Sequence, residues 1–233
     1  MENPVKATID GKQITVYKNK TADVPIVYAN MYMESGRAVL ETCKKLGCEP
    51  FHLVSISKLR WDEELSPWEH KPIVSKNDRF TGEADQYARC LVENIVSFAE
   101  GEIEQPAYRI IAGYSMGGLF ALYAPYVTTI FSGSVSASGS VWYPNFVSYT
   151  KNHEYRKNPA AIYLSLGDLE SCTKNPYLHR TEWCMEELCS FYQQKGIHTL
   201  FELNPGNHYK DAAYRLAKGI TWMCTRLSSH SIS

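Results

Sequence analysis

Short apolar runs alternate along this chain with longer stretches in which apolar residues recur every three or four positions. Val5–Ile9 and Gln13–Tyr17 flank Asp10-Gly11, a pair suited to the positive φ angles of a tight turn, which predicts an antiparallel hairpin at the start. A strand-helix rhythm follows, with Ile26–Ala29 and then Arg37–Leu46, and Phe51–Ile56 and then Ala84–Phe98. It continues with Tyr108–Ala112 and a helix at Gly117–Tyr123, strands at Phe131–Ser136 and Ala161–Leu166, and a helix at Thr181–Lys195 stopped by Gly196. Thr199–Leu203 and a helix over Asp211–Leu227 complete it, and the Ser-rich stretch from Ser228 reads as a frayed tail. Strand, helix, strand, helix implies an α/β fold with a mostly parallel central sheet, helices on both faces and the hairpin as an antiparallel addition. The stretch between Ile56 and Ala84 has no period, yet holds Trp61, Pro67, Trp68 and Pro72; such a loop in a compact domain is usually functional.

At 233 residues, 44% of them hydrophobic, the chain is long enough for one α/β domain with a sizeable core. Its 24 basic and 25 acidic residues nearly cancel, which excludes recruitment of nucleic acid or an anionic membrane by net charge. Met1 to Lys6 is polar and lacks a secretory pattern, and no apolar run approaches the roughly 18 residues of a membrane span, so a cytoplasmic location is expected. Seven cysteines, an odd number, several of them in apolar helical patterns, suit a reducing compartment and free thiols used for packing.

Gly113-Tyr114-Ser115-Met116-Gly117 follows an apolar strand and precedes a helix-forming run, the context in which Gly-x-Ser-x-Gly places a nucleophilic serine on a sharp turn. A serine needs a base and an acid to orient that base, and with this turn they come later, acid first and histidine second. Carboxylates stand just past a strand's end in Gly167-Asp168-Leu169-Glu170, and Asn204-Pro205-Gly206-Asn207-His208 delivers a histidine between a strand and a helix. Of the seven histidines only His208 has that placement.

With those stations identified, the chain resembles the esterase branch of the α/β-hydrolases that includes feruloyl esterases, S-formylglutathione hydrolases and enterochelin-type siderophore esterases. The resemblance covers nearly the whole length and rests on Trp61 to Trp68 (Trp-Asp-Glu-Glu-Leu-Ser-Pro-Trp), Gly113 to Gly118, Ser138-Gly139-Ser140-Val141-Trp142 and Gly206-Asn207-His208. It implies hydrolysis of a small-molecule ester through an acyl-enzyme, without metal or organic cofactor, by Ser115, His208 and an acid at Glu170, the third residue after Gly167. Asp168 remains the alternative acid. The backbone N–H of Met116 is the expected first oxyanion donor. Many relatives carry His-Gly or Asp-Gly after the early strand, where this chain has Asn30-Met31-Tyr32-Met33, so the second donor is expected between Met31 and Met33, with Tyr32 at the centre. Trp61, Trp68, Trp142 and Tyr143 are expected to wall the substrate pocket. Thioester hydrolysis or acyl transfer by the same residues, and a binding protein that has lost activity, are the rival readings.

Overall fold

A computed structural model of the chain describes residues 3–32, 36–103 and 106–228. The predicted hairpin is β1 (Val5–Ile9) and β2 (Lys12–Tyr17), joined through Asp10 and Gly11, both at positive φ. β3 (Ile26–Asn30), α1 (Gly36–Lys45) and β4 (His52–Ser57) follow.

The stretch without a period folds into pieces too short to display one. They are a five-residue helix α2 (Trp61–Leu65) and a two-stranded ribbon, β5 (Glu69–His70) with β6 (Phe80–Thr81). Gly82 closes this ribbon at φ +78°, and a Cβ there would lie 2.6 Å from the Trp68 carbonyl carbon. The single helix expected over Ala84–Phe98 is α3 (Ala84–Cys90) continued through a π-helical turn, Leu91–Val96, into α4 (Ser97–Gly101).

The remaining elements are β7 (Arg109–Tyr114), α5 (Met116–Val127), β8 (Gly133–Ala137), a helix absent from the sequence reading, α6 (Phe146–Asn152), β9 (Ala161–Gly167), α7 (Thr181–Gln194), β10 (His198–Asn204) and α8 (Ala212–Ser228).

Eight strands form one sheet in the order β1-β2-β4-β3-β7-β8-β9-β10, with β1 and β2 antiparallel and every pair from β4 onward parallel. Both faces are covered, and for that reason the central strands read as unbroken apolar runs. In β3, Val27 and Ala29 face α1 and α8, packing with Val39, Leu40, Leu216 and Ile220. Ile26 and Tyr28 face the other layer, where Leu65, Tyr87, Leu119, Phe120, Met185 and Leu188 come from α2, α3, α5 and α7. No helix among the described residues is long and apolar enough to cross a membrane.

Candidate active site

The parallel register brings the ends of β7, β8, β9 and β10 to one edge of the sheet. At the end of β7, Ser115 turns the chain into α5 with φ +56° and ψ −124°, a conformation costly for a residue with a Cβ. The turn is held by the Ser115 N–H donating to the Ala137 carbonyl at 3.2 Å and by the Ser115 carbonyl accepting from the Gly118, Leu119 and Ser140 N–H groups at 3.0 Å each. Strand and helix come so close that a Cβ on Gly113 would lie 2.2 Å from the Gly117 carbonyl carbon. The spacing of glycines in the motif is therefore a steric requirement of this turn.

His208 lies beyond β10. Its Nε2 is 3.1 Å from Ser115 Oγ and its Nδ1 is 2.6 Å from Glu170 Oε2. With the imidazole proton on Nδ1, that N–H donates to Glu170 and Nε2 is free to accept from the serine hydroxyl. Glu170 Oε1 accepts three further bonds, from the Gly167 N–H at 2.7 Å, Ser138 Oγ at 2.7 Å and Arg215 Nη1 at 2.9 Å. Burial pushes the Glu170 carboxyl up, but the bonds from His208, Ser138 and Gly167 outweigh it and hold the group below the usual glutamate range.

Asp168, the alternative acid, is turned elsewhere. Its Oδ1 accepts the Gly206 N–H at 2.7 Å, which ties down the loop that carries His208. That loop has further anchors: Arg215 Nη2 donates to the carbonyls of Pro205 and Asn207 at 3.2 and 3.0 Å, and Tyr114 Oη donates to the His208 carbonyl at 2.7 Å. Arg215 is 1% exposed, and sequence reasoning passed over it. One signal was present: an arginine on the apolar stripe of α8, in line with Gly219, Ile220 and Met223.

Met116 is the first residue of α5, so its N–H has no intrahelical acceptor and lies beside the serine. Asn30 pairs with Gly113, and the Asn30 carbonyl would be 3.1 Å from a Cβ on Gly117, which brings the Asn30-Met31-Tyr32 segment against the start of α5. Met33 lies outside the described residues.

The four expected pocket aromatics separate into two groups. Trp61 lies against the elbow, its ring 3.1 Å from a Cβ on Gly117, and it meets the exposed Tyr32 ring edge-on at 5.3 Å between centroids. Trp142 is half-buried two residues after Ser140, whose Oγ is 3.4 Å from Ser115 Oγ. Trp68 and Tyr143 instead lock the ribbon to the loop before α6. The Trp68 indole N–H donates to the Pro144 carbonyl at 3.0 Å, and Tyr143, 1% exposed, donates its hydroxyl to the Trp68 carbonyl at 2.5 Å. Trp68 also faces a shallow depression of about 310 Å³ whose other walls are Asn145, Ser148, Tyr149, Asn152 and His153. None of the Ser115, His208 and Glu170 side chains lines it. Beside the histidine the sequence reading did not name Tyr209, 86% exposed and with its ring 5.5 Å from that of His208.

No family model matches the chain, and no curated protein matches it. Among solved structures it is similar to an IroE-like serine hydrolase from Shewanella oneidensis, with a TM-score of 0.75 at 13% identity over 95% of this chain and 80% of that one. It is similar also to the enterobactin esterase FES from Shigella flexneri (TM-score 0.72, 16% identity, 96% of this chain), of whose length it spans 59%. A third likeness is to the siderophore hydrolase EstB from Aspergillus nidulans, with a TM-score of 0.63 and 16% identity over 96% of this chain and 94% of that one. The chain has the α/β-hydrolase fold.

Proposed function

We propose that the protein is a serine hydrolase that cleaves a carboxylic ester of a small molecule through an acyl-enzyme. The observation that carries this is a continuous relay from Ser115 Oγ to His208 Nε2 at 3.1 Å and from His208 Nδ1 to Glu170 at 2.6 Å, with the serine on a strained strand-to-helix turn. Ser115 Oγ attacks the ester carbonyl carbon as Nε2 takes its proton. The tetrahedral intermediate collapses when Nε2 returns that proton to the departing alcohol oxygen. A water molecule, deprotonated by Nε2, then attacks the acyl-enzyme and frees the acid. Glu170 holds the imidazole in the productive tautomer and balances its charge in both steps.

The Met116 amide is the first oxyanion donor and the Tyr32 amide the second; loss of one such donor costs about 10²–10³ in rate. Trp61 and Trp142 border the acyl or alcohol side, with the Tyr143 ring 6.5 Å from that of Trp142. Similar structures named as an enterobactin esterase and a siderophore hydrolase make a siderophore ester the first substrate to try, beside acetyl, feruloyl and thioester compounds. The seven cysteines support work in a reducing compartment such as the cytoplasm.

A fluorophosphonate probe tests the reading. Ser115 is expected to be labelled in the folded protein and not in Ser115→Ala. A folded wild type that stays unlabelled sinks the proposal.

A further inference from the structure

The Ser138-Gly139-Ser140 turn after β8 touches the acid with one serine and the nucleophile with the other. Ser138 takes φ +44°, its N–H donates to the Ser165 carbonyl at 2.8 Å, and its Oγ donates to Glu170 Oε1 at 2.7 Å. Gly139 is wedged against β8 and α5: a Cβ there would lie 2.1 Å from Ser136 Oγ and 3.3 Å from the Gly118 carbonyl carbon. Ser140, 1% exposed, is pinned through its backbone, its N–H donating to the Ser115 carbonyl and its carbonyl accepting from the Tyr143 N–H, both at 3.0 Å. Among the described residues the partner of its hydroxyl is Ser115 Oγ, 3.4 Å away. Ser115 Oγ therefore has two polar neighbours, His208 Nε2 at 3.1 Å and Ser140 Oγ. The Ser115 proton serves the bond to Nε2, which leaves the lone pairs of that oxygen to accept from Ser140. At 3.4 Å this second bond is longer than the roughly 2.7–2.8 Å usual between hydroxyls, so it is weak while Oγ is neutral. A charged acceptor draws an O–H donor in to about 2.5–2.7 Å and roughly doubles the strength of the bond. An interaction that grows in this way as charge develops favours the transition state over the resting enzyme, and so lowers the barrier.

We propose that Ser140 is a further catalytic residue, whose hydroxyl donates to Ser115 Oγ whenever that oxygen carries negative charge; this rests on the serine-hydrolase reading given above. In acylation Nε2 removes the Ser115 proton while the bond from Oγ to the ester carbonyl carbon forms, and Ser140 stabilises the charge on Oγ as it attacks. In deacylation Nε2 takes a proton from water, the water oxygen bonds to the acyl carbon, and the bond from that carbon to Oγ then breaks. The electron pair left on Oγ takes the proton from Nε2, and Ser140 stabilises it until that transfer is complete. The Ser140 proton stays on Ser140 throughout, so the residue is a donor to the nucleophile in one step and to the same atom as leaving group in the other.

The test compares full-length wild type with Ser140→Ala, which removes the hydroxyl and keeps both backbone bonds. The rate at which a fluorophosphonate probe labels Ser115 reports attack by Oγ, and it should fall about 10–100-fold in the variant, the range expected for losing one hydrogen bond to a charged oxygen. With p-nitrophenyl acetate, the burst of nitrophenol and the steady rate that follows should each fall by a similar factor. The pH midpoint of the labelling rate, which is set by His208, should not move, whereas a variant that had merely loosened the turn would disturb Glu170 and shift it. Labelling of Ser140→Ala as fast as wild type or faster, a loss confined to one of the two steps, or a shifted midpoint overturns the role of Ser140 and leaves the hydrolase reading standing. A folded wild type that is not labelled at all sinks that reading instead.

Discussion

Arg215 donates to Glu170 Oε1 at 2.9 Å while His208 occupies the acid's other oxygen, so one carboxylate is held from both sides by groups of opposite function. The arginine is the immobile one. Its guanidinium spans Glu170, Ser138, Tyr114 and two carbonyls of the histidine loop, and it fixes Glu170 and the loop of His208 relative to each other. Arg215→Met keeps the volume but leaves a buried carboxylate and two carbonyls short of donors, a loss of about 3–5 kcal/mol. Urea unfolding should show that loss, and at temperatures where the variant is folded kcat should fall far more than KM rises. Arg215→Lys, which keeps the charge without the fork, should fall between the two.

Glu170→Gln keeps the shape of the acid and removes its charge, and turnover should drop by about 10³–10⁴ with the fold retained. Asp168→Asn touches only the cap on the Gly206 N–H, so kcat should stay within about tenfold of wild type, with a modest drop in Tm. Steady-state kinetics at saturating ester rank the two, and the reverse order would make Asp168 the acid.

Acid should unfold the protein partly through Glu170. Its folded pKa lies below the ordinary glutamate value, so between the two the unfolded chain binds more protons and stability rises with pH. The contribution is complete above about pH 4.3 and is lost as pH falls through the depressed folded value. Urea midpoints measured from about pH 6 downward should therefore fall more steeply for wild type than for Glu170→Gln; parallel curves would count against this account.

The strain at Ser115 predicts a stability difference between two inactive variants. Ser115→Gly relieves the φ of +56° and Ser115→Ala does not, so the glycine variant should be the more stable by about 1–2 kcal/mol. Equal Tm values would mean that the elbow stores little strain.

Trp61 and Trp68 should respond differently to removal. Trp61→Ala should alter KM or substrate preference more than Tm. Trp68→Ala takes out a ring packed against Tyr143 and Tyr149 together with its bond to Pro144, and should cost about 3–4 kcal/mol with little change in KM once folded.

The strand-helix order, the elbow and the histidine loop were legible in the sequence because each leaves a local trace: a period, a glycine spacing, or a turn between two runs. Arg215 was not legible, since its meaning depends on what faces it from β7, β9 and the loop after β10. Trp68 and Tyr143 carried the right composition for a pocket wall, but their polar atoms close on the Pro144 carbonyl and on Trp68 itself, 76 and 75 residues apart in sequence. The pieces between Ile56 and Ala84 are shorter than the two turns or several strand residues that a period needs. The choice between Asp168 and Glu170 came from family likeness, because two carboxylates two residues apart look alike in sequence; in the structure Glu170 bonds His208 and Asp168 bonds the Gly206 N–H.

Ser115 and His208 are 93 residues apart, and the strand before His208, β10, is the outermost on the parallel side of the sheet. A ribosome adding about 5–20 residues per second therefore releases the serine elbow roughly 5–20 s before the histidine is made. If the proposed relay is the catalytic one, Ser115 is without its base throughout that interval, and a half-made chain should not be acylated. On that reading the docking of β10, the edge strand, is the event that completes the site, and the outer strand would time the onset of activity in the nascent protein.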